Sequence, residues 1–308
     1  MENKNGTTTM LAASTITPRL QNIVDKIDDL PTLPTVVIKM MELIGKSETS
    51  VSELSKLIAT DPVLMAKLLK IANSSFYGFP RQISTLDTAR GALGFSQLQG
   101  LGLSLSVAGQ FSPESNNDQF DLKRFWEHSA GCGIASRMLA KIYGNPSGAE
   151  AFAAGLLHDI GIFVIFRYFP LEFDEILLLV NNGGMSLMAA ERALIDVTQS
   201  EIGQWLAETW NMPAELVDGI PYHHPADAED HPEIAMLVHL SDIICRMFHM
   251  GSDGDELVPE ISQDAIAVLS KKHPMFHTRS DLNLESYEAR FSAEAEESEA
   301  FLNLIRAA

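Results

Sequence analysis

The chain has 308 residues, 46% hydrophobic and 20% charged, enough apolar material for a sizeable core, which excludes a disordered or fibrous chain. Its 22 basic residues against 41 acidic ones give a net charge of −19, a field that repels phosphate backbones and anionic bilayers. Bulk nucleic-acid binding and membrane docking are therefore not expected. The two cysteines, Cys132 and Cys245, are too few for a disulfide framework and fit a reducing compartment. The opening MENKNGTTTM has no apolar core of signal-peptide length, and the run GIFVIFRYFP meets Arg167 well before the roughly 18 residues a membrane span needs. The expected location is the cytoplasm.

Residues 1–17 are polar, without helical or strand period, and read as a loose tail. The body reads as all-α. Ser50-Val-Ser-Glu53 has capping-box form ahead of a 3.6-residue apolar pattern at Leu54, Leu57 and Ile58. Asp61-Pro62 pairs a good N-cap with a residue suited to the first helical position, and the helix it opens should close near Asn73. A further start lies at Ser84 to Asp87, and Ser96 can cap QLQGLGLSLSVAG despite Gly100 and Gly102. SPESNNDQ, residues 112–119, has the composition of a linker. Asp121 then caps a long helix reaching about Tyr143, followed by helices near 148–158, 171–182, 185–195, 198–209, 213–222 and 232–249. Gly144-Asn145-Pro146 and Asn182-Gly183-Gly184 punctuate them. The acidic stretch 281–300 reads as an exposed helix with a solvated face.

The chemistry-bearing residues sit within this helical frame. His158-Asp159, in GLLHDIGIF, cannot share one helix face, but at a helix end both side chains can turn toward one point. Imidazole with carboxylate is a ligand set for Zn, Fe, Mn and similar divalent ions. His128 shares an apolar stripe with Phe125, Cys132, Ala135 and Leu139, as either a core residue or a ligand. Asp242 lies on the otherwise buried face of Val238 and Cys245 and requires either a metal or a cation such as Arg246 one turn on. His223-His224 sit at a helix end. His239, three residues before Asp242, reads as a partly exposed helix histidine or as a group that orients that carboxylate. Cys132 reads as a small buried thiol. Asn73-Ser-Ser-Phe-Tyr-Gly78 is either a helix C-cap with a hydrophobic anchor or a surface for docking a partner.

The order His128, His158-Asp159, His223-His224, Asp242, all in helices, resembles the HD superfamily of metal-dependent phosphohydrolases. More closely it is similar to the HDOD group, the HD-related output domain of bacterial signalling proteins. That resemblance extends over roughly residues 20–245, through LPTLPTVVIKMMELI, ATDPVLMAKLLKIANSSFYG and ISTLDTARGALGFSQLQGLGLS. It implies an N-terminal helical bundle, about 18–112, packed on an HD-like bundle, about 120–250, with an acidic helical extension over 251–308. It also implies one metal held by His128, His158, Asp159 and Asp242, and in two-metal relatives a second metal whose ligands His223 and His224 resemble. Any hydrolysis would engage Asp159.

Three departures from the catalytic HD-GYP pattern bear on turnover. Ile162 stands where those relatives carry Lys, Gln199 in VTQSEIG takes the place of a further histidine, and the GYP motif is absent. Gln199 is then a neighbour of the site rather than a ligand. The resemblance thus implies a signalling or regulatory protein that binds a divalent metal (Fe, Mn or Zn, mononuclear or dinuclear) and other signalling proteins, without fast catalysis. The alternatives are a metal-dependent phosphohydrolase acting on a nucleotide or phosphoester, with a small phosphorylated ligand, and a sensor built on an iron centre.

Overall fold

In a computed structural model the described residues are 17–27, 60–73, 83–85, 120–145, 148–210, 214–220, 233–272 and 282–297, with a few isolated positions between. The fold is all-α, with no β-strand among the described residues. The Ser50–Glu53 capping box, the Ser96 helix, the 112–119 linker, residues 74–78 and His223-His224 lie outside them.

Helix α1, Pro18–Val24, starts at Thr17, whose hydroxyl accepts the Leu20 N–H at 3.2 Å. Helix α2, Pro62–Ala72, is capped by Asp61 Oδ1, which accepts the Leu64 N–H at 2.9 Å. Asn73 closes it: its side-chain amide donates to the carbonyls of Leu69 and Ile83, and its Oδ1 accepts the Ile83 N–H at 2.7 Å. The amide of Asn73 thus serves the turn itself.

Helix α3, Leu122–Ile142, is the spine, and the Asp121 carboxylate caps it through the N–H groups of Lys123 and Arg124. It packs on α4, Gly148–Leu157, and on α10, Glu233–Met247. A turn at His158-Asp159 separates α4 from α5, Ile160–Tyr168. Helix α6, Pro170–Gly183, ends on Gly184 in the left-handed conformation and packs against α5 and against α7, Leu187–Ile195. Helix α8, Gln199–Thr209, opens with a complete capping box between Thr198 and Glu201 and lies across α5. The short α9, Ala214–Gly219, bridges α4 and α10.

Helix α5 departs from the sequence expectation, which assigned no helix to 160–168. Residues 160–166 are all buried, so apolar side chains surround the helix and leave no amphipathic period to read. The segment Glu150–Tyr168 has the length and hydropathy to cross a membrane, but it is 89% buried inside the protein. Its apolar surface is spent on the core and is broken by the turn at 158–159.

The C-terminal part is also less exposed than its composition suggests. Residues 251–262 form a loop, α11 (Gln263–Lys272) packs on α10, and a 3-10 turn at Leu284–Tyr287 leads into α12, Glu288–Glu297, which docks on α3. Phe291 is buried and stacks with Phe248, and Arg137 pairs with Glu294 at 3.1 Å. Only part of this acidic helix is a solvated face.

Candidate metal centre

The residues singled out by type and spacing converge. Helix α3 presents His128, the α4–α5 turn presents His158 and Asp159, and α10 presents Asp242, all between 0 and 2% exposed. His128 Nε2 lies 3.1 Å from Asp242 Oδ1 and 3.8 Å from Asp159 Oδ2. His158 Nε2 lies 2.9 Å from Asp159 Oδ2. The donor atoms of His128, Cys132, His158 and Asp242 are all within 4.8 Å of one another, as are those of His128, Asp159 and Asp253.

Two features of this donor set suit a cation. His158 Nδ1 donates to the Gly155 carbonyl at 2.8 Å, which makes Nε2 the lone-pair nitrogen of the neutral ring. A lone pair can face a carboxylate oxygen at such a distance only with a proton or a metal ion between them. In addition, Asp242 Oδ2 is buried and has no hydrogen-bond partner among the described residues. Asp242 belongs to the same close group as the imidazoles of His128 and His158, so a carboxylate with one oxygen open suits a ligand position.

Arg246 sets the electrostatics. Its Nε donates to Asp242 Oδ1 at 2.8 Å and its Nη2 to Asp253 Oδ2 at 2.6 Å, while Nη1 reaches the carbonyls of Asp255 and Leu257. Burial pushes the Asp242 carboxyl up, but the Arg246 charge and the His128 hydrogen bond outweigh it and hold it well below the usual carboxylate range. For Asp253 burial prevails over Arg246, with the Asp159 charge adding to it, and the pKa is raised. Asp242 pairs with Arg246 and also stands among the converging donors, so the two sequence readings of Asp242 do not compete.

An HDOD domain profile matches residues 30–226. The chain belongs to the HDOD family. A crystal structure of an HDOD protein of unknown function from Geobacter sulfurreducens superposes with a TM-score of 0.76 at 25% identity, over 92% of this chain and 97% of that one. A Shewanella amazonensis protein provisionally named a phosphohydrolase gives a TM-score of 0.70 at 25% identity, over the same shares of both chains. An uncharacterized protein of Treponema pallidum (strain Nichols) is 26% identical over 290 residues, 93% of this chain but 53% of its own length. The chain thus spans about half of that curated relative.

Within the HDOD frame, Gln199 meets the site as a supporting group. Its Nε2 donates to Asp159 Oδ1 at 3.1 Å, while its backbone N–H donates to Glu191 Oε2 at 2.9 Å. The capping box at Thr198 fixes this orientation. His239 departs from the half-exposed reading: it is 2% exposed, and its Nε2 accepts the Ser262 N–H at 3.2 Å, fastening the loop that precedes α11. Ile162, at the place of the catalytic lysine, is fully buried in the core.

Sequence reasoning missed Asp253. It lies in Gly251-Ser-Asp-Gly-Asp255, a run of turn formers that reads as a loop. Gly251 has φ +70°, and a Cβ there would strike the backbone of Arg124 and His128. Only glycine lets the loop pass so close to α3, where the Ser252 N–H bonds the Arg124 carbonyl at 3.0 Å. The available signal was Arg246, a buried-face cation with more donors than Asp242 can accept.

Proposed function

We propose that this HDOD protein is a signalling or regulatory module of the cytoplasm that holds a divalent metal between its helices and acts by contacting other signalling proteins, without fast phosphoester hydrolysis. The observation that carries this reading is closure: His128, His158, Asp159 and Asp242 are buried to 98% or more, and Arg246 and Gln199 already occupy one oxygen of each carboxylate. A catalytic metal needs an open coordination position and a route for substrate. The apolar Ile162 offers a transferring phosphoryl group no charge-assisted contact. Both cysteines are free and buried, in keeping with a reducing compartment. His128, His158, Asp159 and Asp242 would hold the metal, with the imidazole of His158 oriented by the Gly155 carbonyl and Asp159 by Gln199. When bound, a divalent ion there supplies Lewis acidity and lowers the pKa of any water it carries.

One feature favours the second reading, a phosphohydrolase acting on a small phosphorylated ligand. A cleft of about 360 Å³ reaches Gln199, Arg246 and Asp253 from the side of α7 and the 255–259 loop. The two readings separate in one experiment. Metal analysis of purified protein is expected to find a divalent ion that the His158→Ala variant lacks. A screen of phosphatase and phosphodiesterase substrates with added Mn or Fe is expected to show no turnover above background. Turnover that disappears in both His158→Ala and Asp242→Ala would establish the enzyme instead.

A further inference from the structure

We propose that Cys132 is a metal ligand in place of Asp159, so that the site presents a thiolate along with the two imidazoles of His128 and His158 and the carboxylate of Asp242; this rests on the reading that the site holds a metal. Cys132 follows His128 by one turn of α3 and points to the same side, with its Sγ 3.6 Å from His128 Nε2. Donors bound at about 2.0–2.3 Å to one tetrahedral centre lie roughly 3.3–3.8 Å apart. That spacing matches the Cys132–His128 separation, and the 3.1 Å between His128 Nε2 and Asp242 Oδ1 is close to it. The sulfur belongs to the same mutually close group as His158 and Asp242, and the other oxygen of Asp242, Oδ2, is buried with no hydrogen-bond partner among the described residues.

The consequence is selectivity. An N2OS set favours borderline-soft ions such as Zn(II) and Fe(II) over Mn(II) or Mg(II), which prefer oxygen. Burial pushes the Cys132 thiol pKa up, so the metal-free side chain is a neutral thiol with its sulfur 3.6 Å from His128 Nε2. Ligation breaks the S–H bond, leaves its electron pair on sulfur for the metal–sulfur bond, and releases the proton to solvent.

Cobalt titration of the chelator-stripped 308-residue chain tests this. Wild type is expected to bind Co(II) with a thiolate-to-cobalt charge-transfer band in the near ultraviolet, alongside the visible bands of a tetrahedral ion. Cys132→Ser and Cys132→Ala should lose the charge-transfer band, while Cys245→Ser, which alters the neighbouring buried thiol, should keep it. The Cys245→Ser and wild-type spectra decide the matter even if the Cys132 variants do not fold. Co(II) bound by wild type without the band, or a band lost in Cys245→Ser instead, would overturn the role of Cys132 and leave the metal site standing. No Co(II) binding by wild type would overturn both.

Discussion

Arg246 is the side chain on which the buried carboxylates depend. Its guanidinium serves Asp242, Asp253 and two backbone carbonyls at once, a fork that the single ammonium of lysine cannot reproduce. Removing one partner from a buried ion pair strands the other, at a cost of about 3–5 kcal/mol. Arg246→Met is therefore expected to lose about that much stability in urea unfolding, and Arg246→Lys to recover little of it. Glu191 behaves differently. Burial raises its pKa against the hydrogen bond it accepts from the Gln199 backbone. The folded state then keeps its proton at pH values where the unfolded chain has lost it, so stability is highest in acid and falls as pH rises from the unfolded pKa toward the folded one. Glu191→Gln carries no such dependence. Thermal unfolding at about pH 5 and about pH 8 should show the variant gaining on wild type at the higher pH.

At the scale of elements, the crossing of α5 and α8 is set by contact rather than propensity. A Cβ on Gly161 would run into the Gln199 carbonyl and the N–H of Gly203. Gly161→Ala is favoured by helix propensity, yet overpacking a tight crossing costs typically about 1–3 kcal/mol. The expected result is a lower melting temperature, together with weaker metal retention because Gln199 is pushed off Asp159. Caps were the readable part of these elements: Asp61 and Asp121 are N-caps as their spacing predicts, since capping depends on neighbours two or three residues away. Helix α5 was not readable, because a helix buried on all sides has no polar face to mark its period.

Across the molecule, α12 and the 3-10 turn before it close over α3 and over Phe248, just past α10, through Phe291, Arg137–Glu294 and the Tyr143–Tyr287 hydroxyl pair. Phe291→Ala should destabilise the whole fold by about 3–5 kcal/mol in urea unfolding, which a merely solvated tail would not do. Metal should act on the same scale. An ion that binds only the folded chain stabilises it by about 2.7 kcal/mol at a hundredfold excess over Kd. Zn(II) or Fe(II) is expected to raise the melting temperature of wild type and to leave His158→Ala unmoved; an equal shift in both would place the ion elsewhere.

From residue order alone came the all-α class, most helix limits among the described residues, and a set of imidazoles and carboxylates in HDOD order, because caps, periods and motif spacing are local properties. Tertiary structure alone decided that Arg246 is shared between Asp242 and Asp253, that Gln199 rests on Asp159 some 40 residues away, and that Cys132 stands among the donors. Those contacts depend on how closely helices cross and how a glycine lets a loop pass. Neither distance is written in the spacing of side chains along a single element.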